Sequence, residues 1–337
     1  MDKPLISVVI PCRNEEDYIG DCIKSILSSD YPTEFLEIIV CDGLSDDRTQ
    51  EIVERVREEN GNVKLLLNEQ QTTPHALNIG IRKSKGELVI ILGAHASLSS
   101  EYVSNCVAAL NADKSLGCIG GVLTNTYFDR KSEAIAKAMS HPFGVGSAHF
   151  RTGRKSGYVD TVAFGAYRRE VFDKIGMFDE ALTRNQDDEF NYRVLQAGYK
   201  IKLDTDISAV YHVRASFGKL FSQYFQYGYW KVYVNKIHRT ITTFRQLVPL
   251  IFVLFLITFI PLAFLHDIFL KLLVVGLVFY FAGAFVSAFS SSVHPVQLIR
   301  IIASFIILHV SYGFGYLTGL IHFVILGKSY ARSNGTS

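Results

Sequence analysis

Three uninterrupted apolar runs close this chain, and they constrain its fold more than any other feature. Leu247 to Leu265 holds nineteen residues without a charge, Leu272 to Ile299 twenty-eight, and Ile301 to Gly327 twenty-seven. A helix of roughly 20 apolar residues spans a bilayer, because lipid offers backbone amides no partner outside the helix itself. The runs therefore predict three transmembrane helices, with Pro249 and Pro261 as kinks or ends in the first. Of the 34 Lys and Arg, 29 precede Ile241, as do 31 of the 32 Asp and Glu. A part of ordinary soluble composition thus leads into a part suited to lipid.

Composition excludes several classes. A net charge of +2 with no basic block makes nucleic acid an unsuitable partner, since phosphate binding needs clustered Lys and Arg. Disordered and fibrous classes are out as well. The five cysteines, Cys12, Cys22, Cys41, Cys106 and Cys118, are odd in number, lack CxxC spacing and sit mostly in apolar runs, which predicts reduced, buried thiols. The opening MDKPLISVVIPCRNEE enters a strand-like run directly, with no apolar leader and no small-residue cleavage site, so this end is expected in the cytosol. Three spans from a cytosolic start leave His266-Asp267 outside and Arg300 inside, as the positive-inside tendency prefers. They also put Lys328 and Arg332 outside, against it, a conflict that a re-entrant or interfacial segment would remove.

Strand and helix patterns alternate quickly along the first part. Ile6 to Ile10 is a β-branched run, Asp17 to Leu27 has helical spacing at Ile19, Ile23, Ile26 and Leu27, and Glu37 to Cys41 is apolar again. Asp47 to Glu59 places Ile52, Val53 and Val56 on one helical face; Val63 to Leu67 is strand, His75 to Ser84 helix, and Glu87 to Leu92 strand. Strands apolar throughout, alternating with helices, predict an α/β fold with a doubly wound, mostly parallel sheet. Such sheets bind ligands at the carboxyl ends of their strands, here Pro11 to Glu15, Asp42 to Asp47 and Gly93 to His95.

Between the two parts, Phe217 to Arg239 mixes Phe221, Tyr224, Tyr227, Tyr229, Trp230 and Tyr233 with Lys219, Lys231 and Lys236. Rings and cations on one helix suit the headgroup layer, although a packed helix closing the first domain is compatible with the same residues. The expected organisation is a domain over 1–216, an amphipathic interfacial segment over 217–240, and a transmembrane domain over 241–337.

Five segments, VVIPCRNEEDYIGDCIKSIL, IIVCDGLSDDRT, HALNIGIRKSKGELVIILGAHA, FGAYRREVFDKIGMFDEAL and NQDDEFNYRVLQAGYKI, resemble, in order, the successive blocks of inverting family 2 glycosyltransferases of the GT-A fold. The resemblance covers roughly residues 4 to 235. NQDDEFNYR and YFQYGYWK look most like membrane-attached transferases that build exopolysaccharide on a lipid carrier, such as succinoglycan glucosyltransferases.

The resemblance implies roles for particular residues. Pro11, Arg13 and Glu15, after the first strand, would meet the nucleoside, and Asp42 would accept a hydrogen bond from a uracil N–H. Turn and N-cap chemistry explains Ser45 and Asp46 equally well. Gly93-Ala94-His95 stands where the family has Asp-x-Asp, so the first carboxylate is missing and the second is an imidazole. A diphosphate leaving group needs a divalent cation or basic residues. His95 is the expected ligand, with His212 as a second, and imidazole shifts the expectation from Mg2+ towards Mn2+.

In Asn185-Gln186-Asp187-Asp188-Glu189, aligned to the family's Glu-Asp-x-Asp-x-x-x-Arg, Gln186 replaces the Glu and Asp187 is the expected base, with Asp188 its rival and Arg193 completing the pattern. Capping of a helix start explains such an acidic run too. Gly165 and Ala166 would allow close approach to the donor, or simply tight packing, and Arg168 and Arg169 would help hold phosphate. Gln226 to Trp230 resembles the Gln-x-x-Arg-Trp motif of processive synthases with Tyr229 in place of Arg, which disfavours polymerisation; Trp230 would floor the acceptor site or anchor in the interface.

The expected activity is inverting transfer of one sugar from a nucleotide donor, expected to be UDP-linked, to a polyprenyl-linked glycan at the cytoplasmic membrane face. A polyprenyl-phosphate glycosyl synthase, a processive synthase and a non-catalytic sugar-nucleotide-binding subunit are the alternatives.

Overall fold

A computed structural model describes residues 3–153, 155–213, 216–242 and 244–328. The strands are β1 (Ile6–Cys12), β2 (Leu36–Asp42), β3 (Val63–Leu67), β4 (Leu88–Ile91), β5 (Ala96–Leu98), β6 (Leu116–Thr126), β7 (Gly157–Tyr158), β8 (Ala163–Arg168) and β9 (Lys200–His212). The α-helices are α1 (Ile19–Leu27), α2 (Thr49–Glu59), α3 (Thr73–Lys83), α4 (Tyr102–Ala112), α5 (Arg130–Met139), α6 (Pro142–Val145), α7 (His149–Thr152), α8 (Arg169–Ile175), α9 (Gln186–Gln196), α10 (Phe217–His238), α11 (Val248–Leu262), α12 (Asp267–Phe289) and α13 (Pro295–Gly319). The described residues fall into two compact units, 3–124 with 153–212, and 125–152 with 213–328.

The first unit is built on one mixed sheet of order β3-β2-β1-β4-β8-β6-β9-β5, with β7 on β9. β1 to β4 are parallel, as the apolar strand runs predict, and Ile6, Val8, Val9, Ile10, Ile38, Ile39 and Val40 are completely buried. Burial on both faces explains why these strands lack polar alternation. Beyond β4 the sheet is mixed: β8 runs antiparallel to β4, and β6 antiparallel to β8. The strand order reverses between β1 and β4, which opens a crevice at their carboxyl ends.

At the opposite, amino end of the parallel strands, Glu37 is buried with Ser7. Its carboxylate accepts from the Ser7 hydroxyl and the Lys85 amide and pairs with Lys64 Nζ at 3.0 Å. All five cysteines are buried and unbridged.

In the second unit, α5 is closed by a reciprocal cap, Asp129 accepting from the Ser132 amide while Ser132 Oγ accepts from the Asp129 amide. Three helices are long and apolar enough to cross a membrane, Phe244–Leu262, Asp267–Phe289 and Pro295–Ile325. Two boundaries differ from the sequence reading. The second helix stops at Phe289, because Pro295, whose missing N–H is harmless in a first helical turn, opens a new helix. Arg300, expected as the break between spans, therefore lies inside α13. Arg332 lies outside the described residues.

The segment from Phe217 forms α10, which packs along α13, as the packed-helix reading of those residues allows. A Cβ on Gly228 would come 2.1 Å from the Tyr312 carbonyl, and one on Gly315 2.0 Å from that of Phe225, so these glycines are what let the backbones touch.

Candidate active site

The carboxyl ends of β1, β2 and β3 carry loops held in unusual backbone conformations. Five of the six described non-glycine residues with positive φ are Asn14, Leu44, Gln71, Phe164 and Asn185. They follow β1, β2 and β3, enter β8, and cap α9. Such conformations cost about 1–3 kcal/mol each and persist where surrounding structure over-determines them, characteristically around binding sites.

Asn14 is fixed by its amide donating to Ser45 Oγ at 2.8 Å and its Oδ1 accepting from the Asp46 amide at 3.0 Å. Glu15 N donates to Thr49 Oγ1 at 2.7 Å. The β1 and β2 loops are therefore laced together before any ligand arrives. Asp42 supplies the knot: it is fully buried, and its oxygens accept from Ser45 N at 2.9 Å, Gln50 Nε2 at 2.6 Å, the Ser45 hydroxyl and Cys12 Sγ. With four donors on its two oxygens, Asp42 organises the loop.

A charged and aromatic cluster forms at the crevice. His95 Nε2 lies 2.8 Å from Glu15 Oε1. The Tyr18 ring packs against both imidazoles, 4.8 Å from His95 and 5.2 Å from His212 between centroids. The His212 amide donates to the His95 carbonyl at 3.1 Å, so the antiparallel pairing of β5 with β9 brings the two histidines together. Burial, and then the neighbouring His95, hold the His212 imidazole below its ordinary value, with Asp21 opposing, so its lone pair is available at neutral pH. Pro11 and Ala94 lie in the adjoining backbone, and Arg13 is exposed beside Gly43.

Among the described residues no three His, Cys, Asp or Glu side chains form a preformed metal cage. The donor set nevertheless fits a cation: two adjacent imidazoles, and a buried Glu15 Oε2 that has no hydrogen-bond partner among the described residues. Gly93 cannot carry the family's first carboxylate without crowding, since a Cβ there would sit 3.2 Å from the Phe164 ring.

The acidic run at the start of α9 divides by burial. Glu189 is 1% exposed and forms a two-point pair with Arg193, at 2.9 Å for both contacts, while Arg193 also donates to the Ile175 and Met177 carbonyls. This pair is structural. Asp187 is exposed and Asp188 half-exposed, and the Asp187 charge contributes, after burial and Cys118, to raising the Tyr167 phenol well above its ordinary value. Gln186 Oε1 is buried without a hydrogen-bond partner among the described residues.

Other expected site residues are employed elsewhere. The Arg168 guanidinium donates to the carbonyls of Leu110 and Asp113, at the end of α4, and of Leu116, at the start of β6, and Arg169 to those of Gly86 and Ile81 and to Ser84 Oγ. Because β8 is antiparallel, Arg168 lies opposite Leu88 at the amino end of β4, the wrong end for phosphate. Gly165 is a packing point, where a Cβ would be 2.7 Å from Cys118 Sγ. In the second unit Trp230 is 5% exposed, donates to Gln226 Oε1 at 3.1 Å and packs on Tyr233 and Phe323, so these two residues satisfy each other within α10.

Sequence reasoning missed Tyr18, Phe164 and Asn78. Asn78 is buried and clasps Phe178, donating to its carbonyl at 2.9 Å and accepting from its amide at 3.0 Å, which fixes the loop leading to α9. An amide on the apolar face of α3, beside Ala76, Leu77 and Ile81, was the available clue.

Comparison with known proteins agrees with this geometry. The model of the family described as Glycosyl transferase family 2 matches residues 7–176. The dolichyl N-acetyl-alpha-D-glucosaminyl phosphate 3-beta-D-2,3-diacetamido-2,3-dideoxy-beta-D-glucuronosyltransferase of Methanococcus voltae is 31% identical over 231 residues, 66% of this chain and 71% of that protein. The succinoglycan biosynthesis protein ExoA of Rhizobium meliloti is 30% identical over 248 residues, 72% and 74% of the two chains. In fold, the chain is similar to the mannosyltransferase PcManGT from Pyrobaculum calidifontis, solved with GDP-Man and Mn2+, at a TM-score of 0.59 and 19% identity over 95% of this chain and 88% of that one.

Proposed function

The chain belongs to glycosyl transferase family 2, and on that premise we propose that it moves one sugar, with inversion, from a UDP-linked donor to a lipid-linked glycan at the cytoplasmic face of a membrane. The observation that carries this reading is the Glu15, Tyr18, His95 and His212 cluster in the crevice between β1 and β4. It offers imidazoles and a cation-seeking carboxylate at the point where such sheets receive nucleotides.

His95 and His212 would hold a divalent cation, Mn2+ in preference to Mg2+ because both ligands are nitrogen, and the cation would neutralise charge on the departing diphosphate. A neighbour of the same fold was solved with Mn2+, which supports a cation of this kind. Arg13 adds a positive charge at the same strand ends. Asp187, at the exposed start of α9, takes the proton of the acceptor hydroxyl as its oxygen bonds to the anomeric carbon and the bond to the nucleoside diphosphate breaks. Asp188 is the second candidate for that proton. The apolar helices and the lipid-linked acceptor in the name of the Methanococcus voltae relative support a substrate that stays in the bilayer.

The test is nucleoside diphosphate release by the detergent-purified protein across UDP-sugars, with Mn2+, Mg2+ or chelator, with and without polyprenyl-linked acceptor. Release that needs acceptor and metal, and is lost in Asp187→Asn and His95→Ala, supports the reading. UDP binding without turnover overturns it.

A further inference from the structure

We propose that only the hairpin of α11 and α12 crosses the bilayer, and that α13, although also long and apolar enough to cross, stays on the near side sheathed by protein. Residues on both flanks of the hairpin then share one side of the membrane. This topology stands independently of the transfer reading.

α13 meets the hairpin near its base and middle, not at its tip. A Cβ on Gly313 would lie 2.3 Å from the Pro249 carbonyl and 2.5 Å from Val253, at the start of α11. Tyr280 OH bonds His309 Nδ1 at 2.9 Å, in the second half of α12. The first contact lies at the base of the hairpin and the second just past the middle of α12. Farther out the arms pack on each other, Phe255 against Gly276 and Phe259 against Phe269, and their other faces are bare: Ile257 is 44% exposed, Ile260 46% and Val274 49%. A third crossing helix would run beside both arms to their far ends and cover such surface.

Protein helices cover much of α13 instead. At its start, Gln297, itself buried, donates to the Arg130 carbonyl of α5 at 2.9 Å. Midway, the Phe143 ring of α6 packs on Phe305 at 5.0 Å, and its carbonyl bonds His309 Nε2 at 2.8 Å. Towards its end α10 takes over, with Tyr229 OH on His322 Nδ1 at 3.0 Å and Asn235 Nδ2 on Tyr316 OH at 2.9 Å. These covering helices carry Arg130, Lys131, Glu133 and Lys137 on α5, and Lys219, Lys231 and Lys236 on α10. Drawing α13 through the bilayer would pull those charges in with it, at about 2.5–3.5 kcal/mol for each one near the centre.

The hairpin has the reach to cross alone. Phe244–Leu262 and Asp267–Phe289 are 19 and 23 residues long. At the helical rise they extend about 28 and 34 Å, against a hydrocarbon layer of about 30 Å. Its tip carries exposed Asp267 and Lys271, which need water and so must reach the far headgroups. Two crossings also place Arg245, Arg300 and Lys328 on one side, with Asp267 and Lys271 cancelling at the other, which satisfies the positive-inside tendency that three crossings violate.

The experiment uses the full chain in sealed membrane vesicles of one orientation, with single cysteines Leu265→Cys, Val293→Cys or Lys328→Cys and a membrane-impermeant maleimide. All three positions are exposed, and the native cysteines are buried. The expected result is that Val293→Cys and Lys328→Cys label from the same side, and Leu265→Cys from the other. Labelling of Val293→Cys and Lys328→Cys from opposite sides would mean that α13 crosses, and would overturn the proposal. So would Leu265→Cys that labels from the Val293 side, or only after detergent, because the hairpin would then not reach across.

Discussion

The Glu15 carboxylate and the His95 imidazole meet at 2.8 Å, joining the loop after β1 to the loop after β4 across the point where the strand order reverses. A carboxylate on one nitrogen of a histidine fixes the ring and raises the basicity of the other nitrogen. Removing it leaves His95 in place but loose. Glu15→Ala is expected to raise the Mn2+ concentration needed for half-maximal diphosphate release by roughly 10- to 100-fold, with smaller change in Glu15→Gln, which keeps an acceptor oxygen. Metal titration of the two variants against wild type checks this.

The carboxylates of α9 should separate by kind of damage. Loss of a general base costs on the order of 10²- to 10⁴-fold in rate, and Asp187→Asn is expected in that range with an unchanged melting temperature, since Asp187 is exposed. Glu189→Gln breaks a buried pair with Arg193 and should cost about 3–5 kcal/mol of stability instead. Turnover and thermal unfolding measured on the same preparations distinguish the two; a fully active, thermally unaltered Glu189→Gln would contradict the assignment.

What the sequence could reveal followed periodicity. β1 to β4 and the helices between them were legible because apolar strands and amphipathic helices repeat with distinct periods. The antiparallel return of β8 was not, because an apolar strand carries no mark of its direction. That one ambiguity turned Arg168 from a helix-end clamp into an expected phosphate ligand. His95 was found because a motif places it, and Asn185 to Asp188 likewise. Tyr18, Phe164 and Asn78 escaped because their roles depend on contacts across long sequence separations. Glycines 228, 313 and 315 read as ordinary apolar helix, and only the packing shows that they let helices touch.

Arg168 supplies a test of that correction. Two of its three carbonyl contacts, Leu110 and Asp113, lie at the carboxyl end of α4, where backbone acceptors otherwise lack partners. Arg168→Ala leaves those acceptors unmatched at about 1–3 kcal/mol for a buried group. The expected outcome is a lower melting temperature with an unchanged KM for the sugar nucleotide. A rise in KM at constant stability would restore the phosphate role.

Glu37 sets an acid limit on the first unit. Burial alone would raise its carboxyl, but the Lys85 amide, the Ser7 hydroxyl and Lys64 outweigh burial and hold it below the usual carboxylate range. The folded state therefore binds this proton less readily than the unfolded chain. The contribution is fully present above the unfolded value, near pH ~4.3, and is lost as pH falls through the lower folded value. Glu37→Gln removes the titrating group, so the variant should be less stable than wild type at neutral pH, and the gap should narrow as pH drops below about 4. Urea unfolding of the two proteins from pH 7 downwards measures it, and a gap that stays constant through that range would show that Glu37 titrates alike in the folded and unfolded chains.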